Sequence, residues 1–368
     1  MICENFALCG GCQLDLGYAS QLETKIEAFK KLFDRNDFEV FPSPSEHFRA
    51  RAEFRIHRED GKLYLSMNPY GQNVRVKISS CPILLDGLEE KLLKCLQIAS
   101  KEEILEHKLY GIKILGSLAK ESLITLIYHK KLDEKWQQKA LDLSQKLQCH
   151  IIGRSKKEKI ILTQSHITEV LKIHNQDIFY IQDEGRFSQP NPYANTQMIE
   201  FVLSNLPLRP QGDLLEMYCG SGNFTIPLAK RFHKVFATEI VKSAITTLKE
   251  NAKNNAIDNI TPARLSGKET IEALNFARPF FRLKEINLKD FNFSHILLDP
   301  PRSGIGDAEM LEFIQRFEHI IYISCNPQSL KSDLATLLKT HQIKRCAVFD
   351  QFPYTHHLEC GFILSKNT

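Results

Sequence analysis

The sequence has no apolar run that approaches the length of a membrane span, and its opening, MICENFALCGG, lacks the basic start of a secretory signal. These absences argue against a spanning or exported protein and make the cytoplasm the expected compartment. No internal repeat and no low-complexity segment is present, so neither a solenoid nor a disordered chain is indicated. Charge of either sign is in little excess, with a net +4 over 368 residues. The excess is uneven. Residues 1–175 carry 27 Lys and Arg against 23 Asp and Glu, whereas residues 176–368 carry 21 of each. A polyanionic partner is therefore sought in the first half, where a solvated basic surface is the plainer alternative.

What is present is an ordinary globular composition, 43% apolar and 25% charged, in a chain long enough for two domains. Residues 20–36 repeat apolar positions at helical spacing after a serine and predict an amphipathic helix. FRARAEFRIHR (48–58) alternates strictly and predicts a strand with Arg49, Arg51 and Arg55 on its polar face. Further short strand-like runs follow, with one helix around LDEKWQQKALDLSQKL. The first half, residues 1–175, thus reads as α+β with a mostly antiparallel sheet. From residue 176 to 368 strands and helices alternate, which implies a parallel sheet covered by helices on both faces. Its last two strands lack a helix between them, so the final one is expected to run antiparallel. Ligands in such sheets bind at the carboxyl ends of the parallel strands, and an antiparallel strand brings its amino end to that edge.

Three motifs fall on that edge. In EMYCGSGNFTIPLA (216–229), Gly220 and Gly222 allow a tight turn and close approach of a ligand, and the next strand ends at Glu239, at about the 20-residue distance where an acid pairs with ribose hydroxyls. Thr225 stands where a dinucleotide site needs a third glycine. The pattern therefore suits S-adenosylmethionine in a Rossmann-like domain better than a dinucleotide. DPPRSG (299–304) makes a rigid turn that holds Asp299 at a strand tip. The related motif of amino-methylating enzymes ends in an aromatic residue, and Arg302 occupies that place here. HIIYISCNPQSL (319–330) puts Cys325 at the end of a buried strand, before the N-cap Asn326 and Pro327 of a helix whose positive end favours thiolate. Cys325 is thus a candidate nucleophile, with small-residue core packing as the alternative. Glu359 begins the last strand and is the candidate proton acceptor, the alternative being a solvated strand-end carboxylate. A metal site from His357 and Glu359 is a further alternative.

EMYCGSGNF, DPPRSG, SCNP and DQFPYTHHLECG, in this order, resemble the RNA uracil-5-methyltransferases, and among them most the bacterial tRNA (uracil-5-)-methyltransferases. The similarity runs from about Phe48 to the end and is most specific in the last third. The resemblance implies methyl transfer to uracil C5 through a covalent adduct, with Cys325 attacking C6 and Glu359 accepting the C5 proton. It implies S-adenosylmethionine contacts at Gln189, Tyr218, Asn223, Glu239 and Asp299. It also implies a substrate in the T-arm of tRNA, with transfer-messenger RNA as a second one, and RNA contacts at Arg49, Arg51, Arg55 and the His129-Lys130-Lys131 group. One feature points to the rRNA-directed branch instead. Cys3, Cys9 and Cys12, at C-x5-C-x2-C, together with Cys81 resemble the ligands of a four-iron–four-sulfur cluster, with a zinc ion as the alternative. An rRNA-directed enzyme is the runner-up. A nucleoside-binding RNA protein without covalent chemistry is the alternative of another class.

Overall fold

The computed structural model describes residues 3–69, 71–72 and 74–367. The chain opens with α1 (Tyr18–Phe33) and a short strand, β1 (Glu39–Phe41), neither of which joins the sheet built by the residues that follow. That sheet is built from β2 (Arg51–Glu59), β3 (Lys62–Met67), β4 (Val76–Ile78), β5 (Leu109–Gly116), β6 (Ser122–Tyr128), β7 (His150–Ser155) and β8 (Glu158–Ile161). Its helices are α2 (Leu88–Ala99), α3 (Glu103–Glu106) and α4 (Glu134–Leu147). The seven strands run β4-β3-β2-β5-β6-β7-β8, and every neighbouring pair is antiparallel except β6 and β7, which α4 connects. In β2 the alternation sends Phe54 and Ile56 inward and Glu53 and Arg55 outward, as the sequence pattern requires.

A separate hairpin, β9 (His166–Ile173) and β10 (Gln176–Asp183), turns through His174 and Asn175, both at positive φ. The expected division at 175/176 falls in this turn. The hairpin packs through Leu171, Ile173, Ile178 and Tyr180 onto α5 (Pro192–Ser204) and the core of the second half.

The second sheet contains β11 (Asp213–Met217), β12 (Val235–Thr238), β13 (Ile260–Ala263), β14 (Phe293–Leu298), β15 (His319–Ser324), β16 (His341–Phe349) and β17 (Glu359–Lys366). Its helices are α6 (Thr225–Ala229), α7 (Lys242–Asn254), α8 (Gly267–Leu274), α9 (Ala308–Ile314) and α10 (Pro327–Leu337). With β1 it has eight strands in the order β1-β16-β17-β15-β14-β11-β12-β13, all pointing one way except β17. The apolar runs are continuous because both faces are covered. Along β15, Ile320 and Tyr322 pack on one side, and Ile321 and Ile323 on the other. The result is the expected α/β methyltransferase-like architecture beside a mostly antiparallel α+β half.

β1 pairs in parallel with β16, Phe41 opposite Phe349, and α1 lies against α10, where Lys331 Nζ donates to the Leu32 carbonyl. β1 thus completes the carboxyl-terminal sheet, and α1 covers it beside α10.

Candidate active site

Register brings the two candidate catalytic side chains together. Ser324, the last residue of β15, pairs with Cys360, and Phe349 of β16 pairs with Glu359, so Cys325 and Glu359 stand at one end of adjacent strands. Cys325 is half-buried, and Asn326 caps α10 by accepting from the Gln328 N–H at 3.1 Å. Asn326 Nδ2 also donates to the Arg302 carbonyl at 2.9 Å, which ties the thiol's helix to the DPPR turn. That turn is held from beneath by the buried Asp333, which accepts from the Ile305 and Gly306 N–H groups. Gly304 has φ +72, and a Cβ there would lie 2.7 Å from Asp333 Oδ2, so the turn needs glycine for both reasons.

The electrostatics correct one expectation. Cys325 does not lie below the ordinary thiol range: burial pushes it up to about 11, Glu359 and Asp299 add to the rise, and Arg302 opposes it. Burial likewise raises Glu359 to about 8, with Asp299 adding and Arg302 opposing, and burial alone raises Asp299 to about 7. Burial at this end of the sheet thus disfavours the ionised form of all three groups.

The glycine loop after β11 fits a nucleoside ligand. Tyr218, Gly220 and Gly222 all take positive φ, and a Cβ on Gly222 would lie 2.4 Å from Leu248. Glu239, after β12, accepts from Gly220 N–H at 3.2 Å and from Val241 N–H at 2.8 Å, so it shapes the loop on which a ribose would rest. Asn223 is already paired: its amide and that of Asn195 exchange two bonds of 2.8 Å, which leaves each one N–H and one lone pair for a ligand. Gln189 Oε1 accepts from Gln351 Nε2 at 2.8 Å.

A cavity of about 360 Å³ opens at Cys325, walled by Arg302, Asn326 and His357 and, from α1, by Lys25 and Phe29. Sequence reasoning missed this helical wall. The available signal was that Gln21 and Lys25 share the i, i+4 stripe of Phe29, a polar pair in an apolar face. Both are buried, because Gln21 Nε2 and Lys25 Nζ each bond the fully buried Asp350, at 2.9 and 2.6 Å.

The other candidates separate. Arg49 turns inward beside Cys12 and Cys81, and its Nε donates to the Arg51 carbonyl. Arg51 donates to the Arg186 carbonyl at 2.8 Å and so braces the segment leading to Gln189. Arg55 lies exposed over Tyr110 at 4.3 Å, and Tyr110 stacks on the exposed His129 at 4.0 Å. Lys130 is engaged with the Ile104 carbonyl at 2.6 Å. Cys3, Cys9, Cys12 and Cys81 gather in one corner, where Cys12 and Cys81 are raised to about 12, by burial first and by the neighbouring thiols next. The expected ligand set is not formed, since among the described residues no three His, Cys, Asp or Glu side chains stand so that they could hold a metal ion. Cys12 is buried with Phe48, Ile83 and Tyr354, Cys81 packs half-buried against them, and the Arg49 guanidinium lies beside both.

Comparison with known proteins gives a consistent result. The family described as tRNA (Uracil-5-)-methyltransferase matches residues 17–367. A tRNA/tmRNA (uracil-C(5))-methyltransferase of Helicobacter hepaticus is 46% identical, over all of this chain and 99% of that protein. One of Pseudomonas savastanoi pv. phaseolicola is 44% identical, over 95% of this chain and 97% of its own. The crystal structure of Pyrococcus abyssi tRNA (uracil-54, C5)-methyltransferase, in complex with S-adenosyl-L-homocysteine, shares the fold with a TM-score of 0.74 at 23% identity, covering 97% of this chain and 84% of that one.

Proposed function

The chain belongs to the tRNA (uracil-5-)-methyltransferase family, and we propose that it methylates C5 of the T-loop uridine of tRNA, and the equivalent uridine of transfer-messenger RNA. S-adenosylmethionine supplies the methyl group. Uracil C5 is a weak nucleophile until a thiolate adds to C6 and turns the ring into an enolate. Cys325 gives up its proton to solvent and, as the thiolate, forms that C6–S bond; transfer of the methyl group to C5 then leaves S-adenosylhomocysteine. After methyl transfer, Glu359 takes the C5 proton, the C6–S bond breaks, and 5-methyluridine leaves. The observation that carries this reading is the juxtaposition of Cys325, which lines the cavity, and the buried Glu359 at the ends of β15 and β17, within a chain matched along its length by curated uracil methyltransferases.

Gln189, Tyr218, Asn223, Glu239 and Asp299 are the groups that would hold the methyl donor, and the positive-φ glycine loop shaped by Glu239 supports that assignment. The exposed Arg55–Tyr110–His129 stack supports an RNA contact, because flat π faces backed by a cation accept unstacked bases. The test is nucleoside mass spectrometry of separated tRNA and rRNA from cells with and without the gene. Loss of 5-methyluridine from tRNA is expected, and loss from rRNA alone overturns the choice of substrate. Iron–sulfur binding by the four-cysteine corner requires its side chains to close further. Iron analysis of protein purified without oxygen decides it, with about four irons per chain for a cluster and none for a packed corner.

A further inference from the structure

Gln351 is fully buried two residues beyond β16, and nothing in the chemistry above uses it. Its backbone is fixed on both sides. Asp350 N–H extends the β1 ladder by donating to the Phe41 carbonyl, Gln351 N–H donates to the Phe349 carbonyl, and the Asp350 side chain is held by Gln21 and Lys25. Because Phe349 pairs with Glu359, Gln351 lies at the same end of the sheet as Glu359 and Cys325. From there its Nε2 donates to Gln189 Oε1 at 2.8 Å, while its own Oε1 is buried with no hydrogen-bond partner among the described residues. Gln189 is itself partly exposed, on a segment pinned by Ala50 N–H donating to the Pro190 carbonyl.

A glutamine amide has one accepting end and one donating end. With its oxygen turned to a buried donor, Gln189 faces its NH2 to the site, and only the second lone pair of the oxygen remains beside it. We propose that Gln351 is a positioning residue that fixes the Gln189 amide donor-outward, so that the site selects a ligand oxygen at this point. That oxygen is either a uracil ring carbonyl or the carboxylate of S-adenosylmethionine. The inference rests on the methyltransferase reading and deepens it. If the oxygen is uracil O4, the same geometry discriminates against cytosine, which presents an amino donor there and leaves both donors unpaired.

The test uses the full chain and a T-arm RNA, with Gln351→Leu and Gln351→Glu compared with wild type between about pH 6 and 9. Removing the donor in Gln351→Leu lowers kcat/KM by about 10- to 100-fold. A rise confined to the S-adenosylmethionine KM identifies the carboxylate. A loss confined to the RNA kcat/KM, with gained methylation of a cytidine-substituted RNA, identifies the base. In Gln351→Glu a protonated carboxyl still donates to Gln189, whereas an ionised one only accepts and turns the amide round. Its activity relative to wild type therefore falls as pH rises, and urea unfolding of the variant at each pH separates that trend from the destabilisation that ionising a buried carboxyl brings. A pH-independent ratio for Gln351→Glu, or a folded Gln351→Leu protein within about threefold of wild type, overturns the inference and leaves the enzyme standing. Should Gln351→Leu fail to fold, the Gln351→Glu ratio decides alone. A wild type that methylates no RNA removes the activity and the inference with it.

Discussion

At the scale of single residues, the two catalytic candidates differ in what their replacement reveals. Cys325→Ser is expected to abolish methylation and to leave the circular dichroism spectrum unchanged, because the side chain is half-buried and nearly isosteric. Glu359→Gln is expected to stop after attack and to accumulate a protein–RNA adduct on a denaturing gel. The same substitution makes a second prediction of opposite sign. Glu359 is raised to about 8 by burial, so in the folded protein it resists ionising over a pH range where the unfolded chain ionises freely. Its contribution to stability is therefore present below pH 4.5 and declines as pH rises toward 8. Glu359→Gln should accordingly unfold at higher urea than wild type, by about 1–3 kcal/mol at neutral pH, while losing turnover. For the wild type, kcat/KM should climb through about pH 8, as Glu359 becomes able to accept a proton, and go on rising as Cys325 ionises toward about 11. A profile with no break near pH 8 would assign the base to another group.

Among elements, α1 is the one whose role could not be read ahead. Its amphipathic pattern predicts that it packs, but a periodicity names no partner, and the partner residue Asp350 is 325 positions away from Lys25. β1 is three residues long and was invisible for that reason, and β13, ITPA, hides behind Pro262, which only an edge strand tolerates. By contrast, the strands carrying the motifs were legible. HILLDP and HIIYISC are buried on both faces and end abruptly in turn residues, so the edge holding Asp299 and Cys325 could be drawn before the fold was seen. Gln351 could not, because a buried amide in an irregular segment has no period. Lys25 and Asp350 form a buried pair at 2.6 Å, and Lys25 Nζ also donates to the Phe352 carbonyl at 2.8 Å, so α1 holds the segment that leads to Glu359. Asp350→Asn is expected to cost about 3–5 kcal/mol in urea unfolding, since it strands a buried ammonium. Pairing Lys25→Met with Asp350→Leu should recover much of that loss. If the double variant is no more stable than Asp350→Asn, the pair is not the cause.

Across the whole molecule, the edge of the sheet opposite the active site carries its own titration. His295 of β14 stacks on His319 of β15 at 4.4 Å, bonds Ser294 Oγ at 2.7 Å and meets the Phe232 ring, with Glu318 beside His319. Burial first and His319 second lower His295 to about 3. Unfolded histidine takes its proton near pH 6.5, so this site's contribution to stability is lost as pH falls from there. The buried carboxyls act in the opposite sense, and the clean readout is thus a difference. His295→Phe should gain stability relative to wild type as pH drops from 7 to about 4, at up to about 1.4 kcal/mol per unit. A constant difference would show that the histidine is not the sensor. The pairing of β1 with β16 has a consequence in time. A ribosome finishes Phe41 about 300 residues before Phe349 emerges, which at ordinary elongation rates is a wait of about 15–60 seconds. Throughout that interval the cysteine-bearing start of the chain lacks part of its docking surface, because Tyr354, whose carbonyl accepts from Gln13 and Leu14 and whose ring packs on Phe6, has not been made. Nascent chains stalled before residue 341 should leave Cys3, Cys9 and Cys12 open to alkylation, and release of the completed chain should close the last of them.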